Sequence, residues 1–187
     1  TWSPHLYTDI GWKNLQNFIH IGGFDNILFT PNGRLHRYLT RQAFLNLLHP
    51  FQPFIIGQKN CAPKIALKYG IKLIMYGENG AELHNNYKDN LTPLMDKKHF
   101  TIESTNQNLF YGGVHLDELK KFNISKSDMG IYIPELTENI EKSKIEIHHM
   151  SYYNNWSPQE NYYYAKKHSN FQSNLDGRSE GTYTKFS

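Results

Sequence analysis

The chain has 187 residues, of which 39% are hydrophobic, a length and composition typical of a globular domain rather than of a disordered chain. No apolar stretch approaches the roughly 20 residues that a membrane span requires, and the first residues lack the pattern of a signal peptide. The net charge of +3 does not indicate a nucleic-acid-binding surface, and the single cysteine, Cys61, excludes an internal disulfide and indicates a reducing compartment. We therefore expect a cytoplasmic protein that has neither a nucleic-acid nor a membrane partner.

The first two thirds of the chain alternate helical and strand patterns, which predicts α/β structure with a parallel sheet. Residues 9–23 predict a helix that ends at the Gly22-Gly23 pair, and residues 26–30, NILFT, predict a strand. A further helix is expected from about Pro63, ending before Gly70. Between them, residues 34–49 predict a helix with one buried face, formed by Leu35, Leu39, Phe44, Leu47 and Leu48.

Residues 71–82, IKLIMYGENGAE, place acid and amide groups directly after an apolar run. The run predicts a strand that is buried on both faces of a parallel sheet. Open α/β sheets bind their ligands just past the carboxyl ends of strands, so Glu78, Asn79 and Glu82 are candidate ligand contacts. The alternative is a solvated turn that uses Gly77 and Asn79 for their backbone freedom.

The last part of the chain begins with a polar, Asn-rich segment, residues 83–113, which we interpret as an insertion or lid rather than core. Two short helices should follow, HLDELKKF and a stretch opened by the capping box of Ser125 and Asp128. Residues 144–153 predict a strand, and Ser157 should cap a final helix that has Pro158 in its first turn. No linker divides the chain, so residues 1–187 are expected to form a single domain.

Five stretches carry a resemblance to a known family: WSPHLYTDIGWKNLQNFIHIGGFDNILFTPNGRLHR, HPFQPFIIGQKN, YGENGAE, NNWSPQENYYYA and GRSEGTYTKFS. They resemble the N-acetyl sugar amidotransferases of bacterial surface-polysaccharide pathways, over nearly the whole chain and least clearly between residues 84 and 108. These enzymes are PP-loop ATP pyrophosphatases. The resemblance therefore implies an α/β fold with a doubly wound parallel sheet of the adenine nucleotide alpha hydrolase-like, Rossmann-like type.

Two features of that family are absent from these residues. The family carries a cysteine-rich metal-binding motif and a strand that ends in an SGGKDS-like loop, which holds the pyrophosphate of ATP. This sequence has one cysteine and no Ser-Gly-Gly stretch. The resemblance thus implies an internal fragment whose sheet lacks its first strand, between the strand ending at Trp2 and the strand at 71–76. We expect such a fragment to bind ATP poorly.

The resemblance implies ATP and Mg²⁺ as cofactors and an N-acetyl sugar, free or nucleotide-linked, as substrate. Transfer of AMP to the amide oxygen would make a leaving group, and ammonia would then replace it to give an acetamidino group. Glutaminase and cyclase-like partner subunits would supply the ammonia, because Cys61 alone gives no Cys-His glutaminase site.

The resemblance also implies roles for particular residues. Glu78 and Glu82 would be catalytic, as Mg²⁺ ligands or as contacts that orient the sugar, while Asn79 beside Gly77 would bind a phosphate or ribose oxygen. Gly57, Gln58 and Lys59 precede the predicted helix at Pro63, where backbone amides and a lysine charge favour an anion. With the resemblance, Lys59 and Lys64 become candidate contacts to phosphate or to the nucleotide-linked sugar. The alternative is an ordinary solvated loop.

Three further features have both a functional and an ordinary interpretation. Arg37 shares a helix face with Arg41 and is either a phosphate clamp on the substrate or part of a solvated row. Glu180, Gly181 and Thr182 either close over the substrate or belong to a disordered end. His148 and His149 are neighbours in a predicted strand, so their side chains should point to opposite faces, one packed and one in solvent.

Two other functions remain open. A non-catalytic nucleotide-binding module of the same fold would not need the acids at positions 78 and 82. A tRNA thiolase of the same superfamily is disfavoured, because sulfur transfer usually uses paired cysteines and RNA binding requires a basic surface.

Overall fold

A computed structural model describes residues 1–4, 7–77, 92–105, 108–154 and 157–174. They form mixed α/β structure in two compact units. The first unit holds Thr1–Trp2 and Phe29–Asn154, and the second holds Ser3–Leu28 and the described residues of Asn155–Ser187. The helices are α1 Asp9–Gly22, α2 Gly33–Leu47, α3 Gln52–Tyr69, α4 Thr137–Ser143 and α5 Pro158–His168. The strands are β1 Leu73–Tyr76, β2 Thr101–Ile102, β3 Phe110–Tyr111, β4 Val114–His115, β5 Glu135–Leu136 and β6 Glu146–His149.

Helix α2 begins where the sequence predicts it and buries a narrower face than expected. The Asn32 side chain accepts hydrogen bonds from two backbone amides of the first turn, which caps the helix. Leu35 and Leu39 are buried as predicted. The prediction was wrong for the end of the helix, since Phe44, Leu47 and Leu48 are all exposed.

Helix α3 begins at Gln52, well before Pro63, so the predicted start of this helix was wrong. Pro53 lies in the first turn, where its missing N–H costs nothing. Pro53, and not Pro63, is therefore the proline that marks the start of this helix. Pro63 lies inside the helix and is buried. The end was predicted correctly, because Gly70 adopts a left-handed conformation with φ 68° just after the last residue.

Parallel pairing was predicted correctly for two pairs of segments in the first unit. Strand β1 pairs in parallel with β6, and Trp2 forms a parallel bridge with Phe29 of the NILFT stretch. The other pairs are short: β2 with β5 in parallel and β3 with β4 antiparallel. The described residues thus show an α/β arrangement with parallel strand pairs.

One face of the β1–β6 pair is buried and the other is open. Ile147 and His149 are buried, and they pack on the same side as Ile74 and Tyr76. Leu73 and Met75 alternate to the opposite face and are 52% and 41% exposed. The prediction of a strand buried on both faces was therefore wrong for β1.

The Asn-rich segment contributes to both cores of the first unit. Met95 and Phe100 pack with Ile140 and Ile147 in one cluster, and Tyr111 belongs to the other. The interpretation of residues 83–113 as lying outside the core was therefore wrong for their described part. Polar side chains in such a segment alternate with a few large apolar ones, which is too sparse a pattern to predict burial.

The two helices expected after this segment form only in part. HLDELKKF folds as a 3₁₀ helix, Leu116–Phe122, and the stretch after Ser125 forms turns. The capping box itself is present, since the Ser125 amide donates to Asp128 Oδ2 at 2.8 Å and the Asp128 amide donates to Ser125 Oγ at 3.2 Å.

The second unit contains α1 and α5, and both helices have the ends that the sequence predicts. Gly23 ends α1 in a left-handed conformation, and Ser157 caps α5 by accepting from the Glu160 amide. The Asn14 and Asn17 side chains of α1 bind the backbone of residues 170–172. No helix in the described part of the chain is long and apolar enough to cross a membrane.

Candidate functional site

The candidate site lies in the first unit, where the carboxyl end of β1 meets the middle of α3. The Tyr76 hydroxyl donates to the carbonyl oxygen of Gln58 at 3.2 Å, which ties the last residue of β1 to the helix. The His149 ring, at the end of β6, lies 6.5 Å from the Tyr76 ring, centroid to centroid. The carboxyl ends of both paired strands therefore lie beside Gln58, and Gly77 follows directly with its backbone exposed.

The Trp2–Phe29 pair reaches the same turn of α3. The Trp2 ring lies over Gly57, and a Cβ built on Gly57 would come within 2.9 Å of three ring atoms. The Trp2 and Phe29 rings are stacked at 5.2 Å. Because Gly57 and Gln58 are consecutive in the helix, the ends of both parallel pairs contact one turn of α3.

The prediction that Gly57, Gln58 and Lys59 precede a helix was wrong, because all three lie inside α3. Their amides are in the helix interior, where they donate to the preceding turn, so they cannot form the amide cradle that a helix start offers to an anion. Packing explains the glycine at position 57 instead, since only a residue without a Cβ leaves room for the Trp2 ring.

The two candidate lysines differ in what surrounds them. Lys64 forms an ion pair with Glu135 at 2.7 Å, and both side chains are about four-fifths buried. The Lys59 side chain is half-buried, and within the described residues its ammonium has no hydrogen bond or ion pair. Of the two candidates, Lys59 is therefore the lysine whose charge is available to a phosphate, whereas the charge of Lys64 is already compensated.

Arg37 lies on the exposed face of α2, as a solvated row predicts. Its guanidinium folds back over the first turn of the helix, 3.6 Å from where a Cβ on Gly33 would lie. The neighbouring His36 points inward, and its Nδ1 pairs with the buried Tyr132 hydroxyl at 2.8 Å. The helix thus separates an exposed arginine from a packed histidine.

The remaining predicted site residues lie outside the described residues: Glu78, Asn79, Glu82, Glu180, Gly181 and Thr182. The proposed Mg²⁺ ligands are among them. Within the described residues, no group of three or more His, Cys, Asp or Glu side chains could hold a metal ion. Cys61 is buried, and burial raises the pKa of its thiol, which makes it a packing residue rather than a nucleophile.

The structure also reveals a cluster of three polar side chains that the strand pattern did not predict. His148 and His149 point to opposite faces, as expected, and His149 is the buried one. His148 lies between Glu146 and Tyr153, with a hydrogen bond to each. Alternation along a strand predicts which face a side chain takes, but it cannot predict that Tyr153, which follows the 3₁₀ helix Met150–Tyr152, folds back over that face.

A cavity of about 370 Å³ lies elsewhere in this unit, at the start of β6. Its wall is mainly apolar, and the Lys97–Glu141 ion pair of 2.8 Å lies at its rim. None of the predicted site residues that the structure describes lines it.

Known proteins do not add to this description, since the sequence matches no protein-family model and no curated protein.

Proposed function

We propose that the chain is part of an ATP-dependent amidotransferase that converts the acetamido group of an N-acetyl sugar into an acetamidino group. The observation that carries the proposal is the meeting of the parallel β1–β6 pair and the parallel Trp2–Phe29 bridge at one turn of α3. Ligands of open α/β sheets bind at such carboxyl ends, and the GENGAE segment starts there, directly after Tyr76. The resemblance of the sequence to the amidotransferase family supplies the reaction.

The chemistry requires activation of a poor electrophile. An amide carbonyl resists attack by ammonia because its oxygen is a bad leaving group. Transfer of AMP from ATP to that oxygen creates a bond that breaks readily, and ammonia then displaces AMP. The protein must hold ATP and sugar in line and keep water away from the activated amide.

The described residues have defined parts in this proposal. The Tyr76–Gln58 hydrogen bond fixes the strand end from which the segment with Glu78 and Glu82 leaves. Lys59, on the same turn of α3 as Gln58, offers a positive charge to a phosphate. A Mg²⁺ ion held by Glu78 and Glu82 would neutralise phosphate charge. Both carboxylates lie outside the described residues, so the sequence alone supports their assignment as Mg²⁺ ligands.

The experiment is a comparison of two substitutions in the full-length gene product. Glu82→Gln keeps the size of the side chain and removes its charge, and kcat for AMP formation should fall by roughly 10² or more with little change in stability. Glu118→Gln is the matched control, because Glu118 is an exposed glutamate in the 3₁₀ helix Leu116–Phe122. The activity of this variant should equal that of the parent.

A role for Lys59 is tested in the same assay. Lys59→Gln should raise KM for ATP, whereas Lys68→Gln, an exposed lysine near the end of α3, should not. Equal activity of Glu82→Gln and the parent contradicts the assignment of the acid. ATP binding without any AMP formation in the presence of N-acetyl sugars and ammonia contradicts the amidotransferase and favours the non-catalytic nucleotide-binding module.

A further inference from the structure

Glu146, His148 and Tyr153 form a hydrogen-bonded chain along one face of β6, from Glu146 at the start of the strand to Tyr153 beyond its carboxyl end. The Tyr153 hydroxyl lies 2.7 Å from His148 Nδ1, and Glu146 Oε2 lies 3.1 Å from His148 Nε2. The tyrosine and imidazole rings are nearly parallel, with an angle of 6° between their planes. The imidazole is 17% exposed, whereas Tyr153 is 53% and the Glu146 side chain 60% exposed, so the middle of the chain is shielded and both of its ends face solvent.

The carboxylate determines the direction of these hydrogen bonds. An ionised carboxylate only accepts, so His148 must carry its hydrogen on Nε2 to bond Glu146. In the neutral ring Nδ1 is then an acceptor, and the Tyr153 hydroxyl donates to it. The lone pairs of the Tyr153 oxygen remain available to accept a hydrogen bond from a ligand.

We infer that Glu146, His148 and Tyr153 are a proton-accepting relay, in which Tyr153 takes a proton from an N–H or O–H group of a ligand bound beyond β6. The Tyr153 oxygen forms a bond to the ligand's proton and gives its own proton to His148 Nδ1. The ligand atom keeps the electron pair, and the positive charge arises on the imidazole ring, beside the Glu146 carboxylate. No oxidant, reductant or other reactant is needed.

The relay has a specific use that rests on the proposed function. Ammonia that attacks an activated amide becomes a positively charged nitrogen, which must lose a proton before AMP can depart. A base near the carboxyl ends of the strands would accept it. Tyr153 would then be a catalytic residue, while His148 and Glu146 act through it as positioning residues.

A second histidine–tyrosine pair in the chain shows what distinguishes the relay from a packing contact. His36 Nδ1 lies 2.8 Å from the Tyr132 hydroxyl, nearly the same distance as in the relay. Tyr132, however, is only 1% exposed, so no ligand can reach its oxygen. The Tyr153 oxygen combines the same hydrogen bond with an exposed ring and a carboxylate behind the imidazole.

The test uses N-acetylimidazole, which acetylates tyrosine oxygens, and it needs neither ATP nor sugar. The phenol oxygen forms the bond to the acetyl carbon while the bond from that carbon to the reagent's imidazole nitrogen breaks. The phenol proton passes to His148, and the departing nitrogen takes up a proton from water. Peptide mass spectrometry of the labelled protein gives the rate at each tyrosine. Tyr163, which is 60% exposed in α5, is the matched control for exposure.

We expect Tyr153 to be acetylated roughly 10² times faster than Tyr163, the lower end of what a positioned base contributes. His148→Gln keeps a hydrogen bond to Tyr153 but accepts no proton, and it should bring the rate down to that of Tyr163. Glu146→Gln, at a side chain 60% exposed, should lower the rate without affecting folding. Circular dichroism of each variant checks that the fold is kept.

Two results overturn the relay: acetylation of Tyr153 no faster than that of Tyr163, and fast acetylation that persists in both variants. Failure of the proposed function is a separate result. If the full-length protein forms no AMP while Tyr153 reacts rapidly in a His148-dependent way, the relay stands and its ligand is not an ammonia adduct. If AMP forms, Tyr153→Phe should lower kcat and leave KM for ATP unchanged.

Discussion

Gly57→Ala tests whether the Trp2 ring occupies the space above α3. A new Cβ at this position would lie within 2.9 Å of three atoms of the ring, closer than real Cβ atoms approach other heavy atoms. The indole ring is rigid and Trp2 is only 8% exposed, so the ring cannot move aside without disturbing its neighbours. We therefore take the overpacking cost as about 2–3 kcal/mol, in the upper half of the usual range.

Helix propensity acts in the opposite direction. Alanine favours a helix interior over glycine by about 1 kcal/mol, so the net loss in the free energy of unfolding should be about 1–2 kcal/mol. With a typical urea m-value, the unfolding midpoint should fall by about 0.5–1 M, measured by circular dichroism. Gly33→Ala is the control, because its Cβ would meet Arg37 at an ordinary 3.6 Å, so it should leave the midpoint unchanged or raise it through helix propensity.

The same substitution in a Trp2→Leu background separates the clash from other effects. Without the ring, Gly57→Ala should be neutral or stabilising, as helix propensity alone predicts. A Gly57→Ala protein that is more stable than the parent would refute the packing of Trp2 on α3. It would also remove the argument that both parallel pairs meet at this turn.

Three further predictions concern polar contacts in the first unit. Asn60→Ala removes a buried hydrogen bond of 2.6 Å to a backbone carbonyl and should lower the free energy of unfolding by about 1–3 kcal/mol in urea denaturation. A double-mutant cycle of Lys64→Met and Glu135→Gln should give a coupling energy of about 1 kcal/mol, and a value near zero would leave Lys64 available to a ligand. Hydrogen bonds from Ser125 hold the pKa of Asp128 below its ordinary value, so their contribution to stability is present above the ordinary pKa and is lost as the pH falls through the folded-state pKa. Ser125→Ala should raise the pKa of Asp128 toward its ordinary value in an NMR titration, and an unchanged value would contradict this cause.

Local signals in the sequence predicted the ends of helices well. Gly23 and Gly70 stop their helices in left-handed conformations, and Ser157 caps the last helix, because each of these signals acts within one turn. The start of α3 was missed because Pro53 and Pro63 give the same signal, and only packing decides which proline lies inside the helix. The parallel orientation of the paired strands followed from the alternation of helix and strand patterns along the chain.

The site was less predictable than the fold. Burial of Met95 and Phe100 depends on contacts with residues 40 or more positions later, which no local pattern contains. The contact between Gly57 and the Trp2 ring is likewise long-range. A local pattern cannot reveal it, and Gly57 therefore has the signature of a loop residue in the sequence. Tyr153 reaches His148 only because the chain turns into a 3₁₀ helix after β6.

The most direct test of the amidotransferase proposal follows one oxygen atom. The full-length gene product is incubated with ATP, ammonia and an N-acetyl sugar whose acetamido carbonyl carries a heavy oxygen isotope. If the amide is activated by transfer of AMP, the label must appear in the phosphate of AMP, and the sugar product must contain an added nitrogen. Label that remains in the sugar, or that appears in inorganic phosphate, contradicts the proposed activation and with it the account of this protein as an amidotransferase.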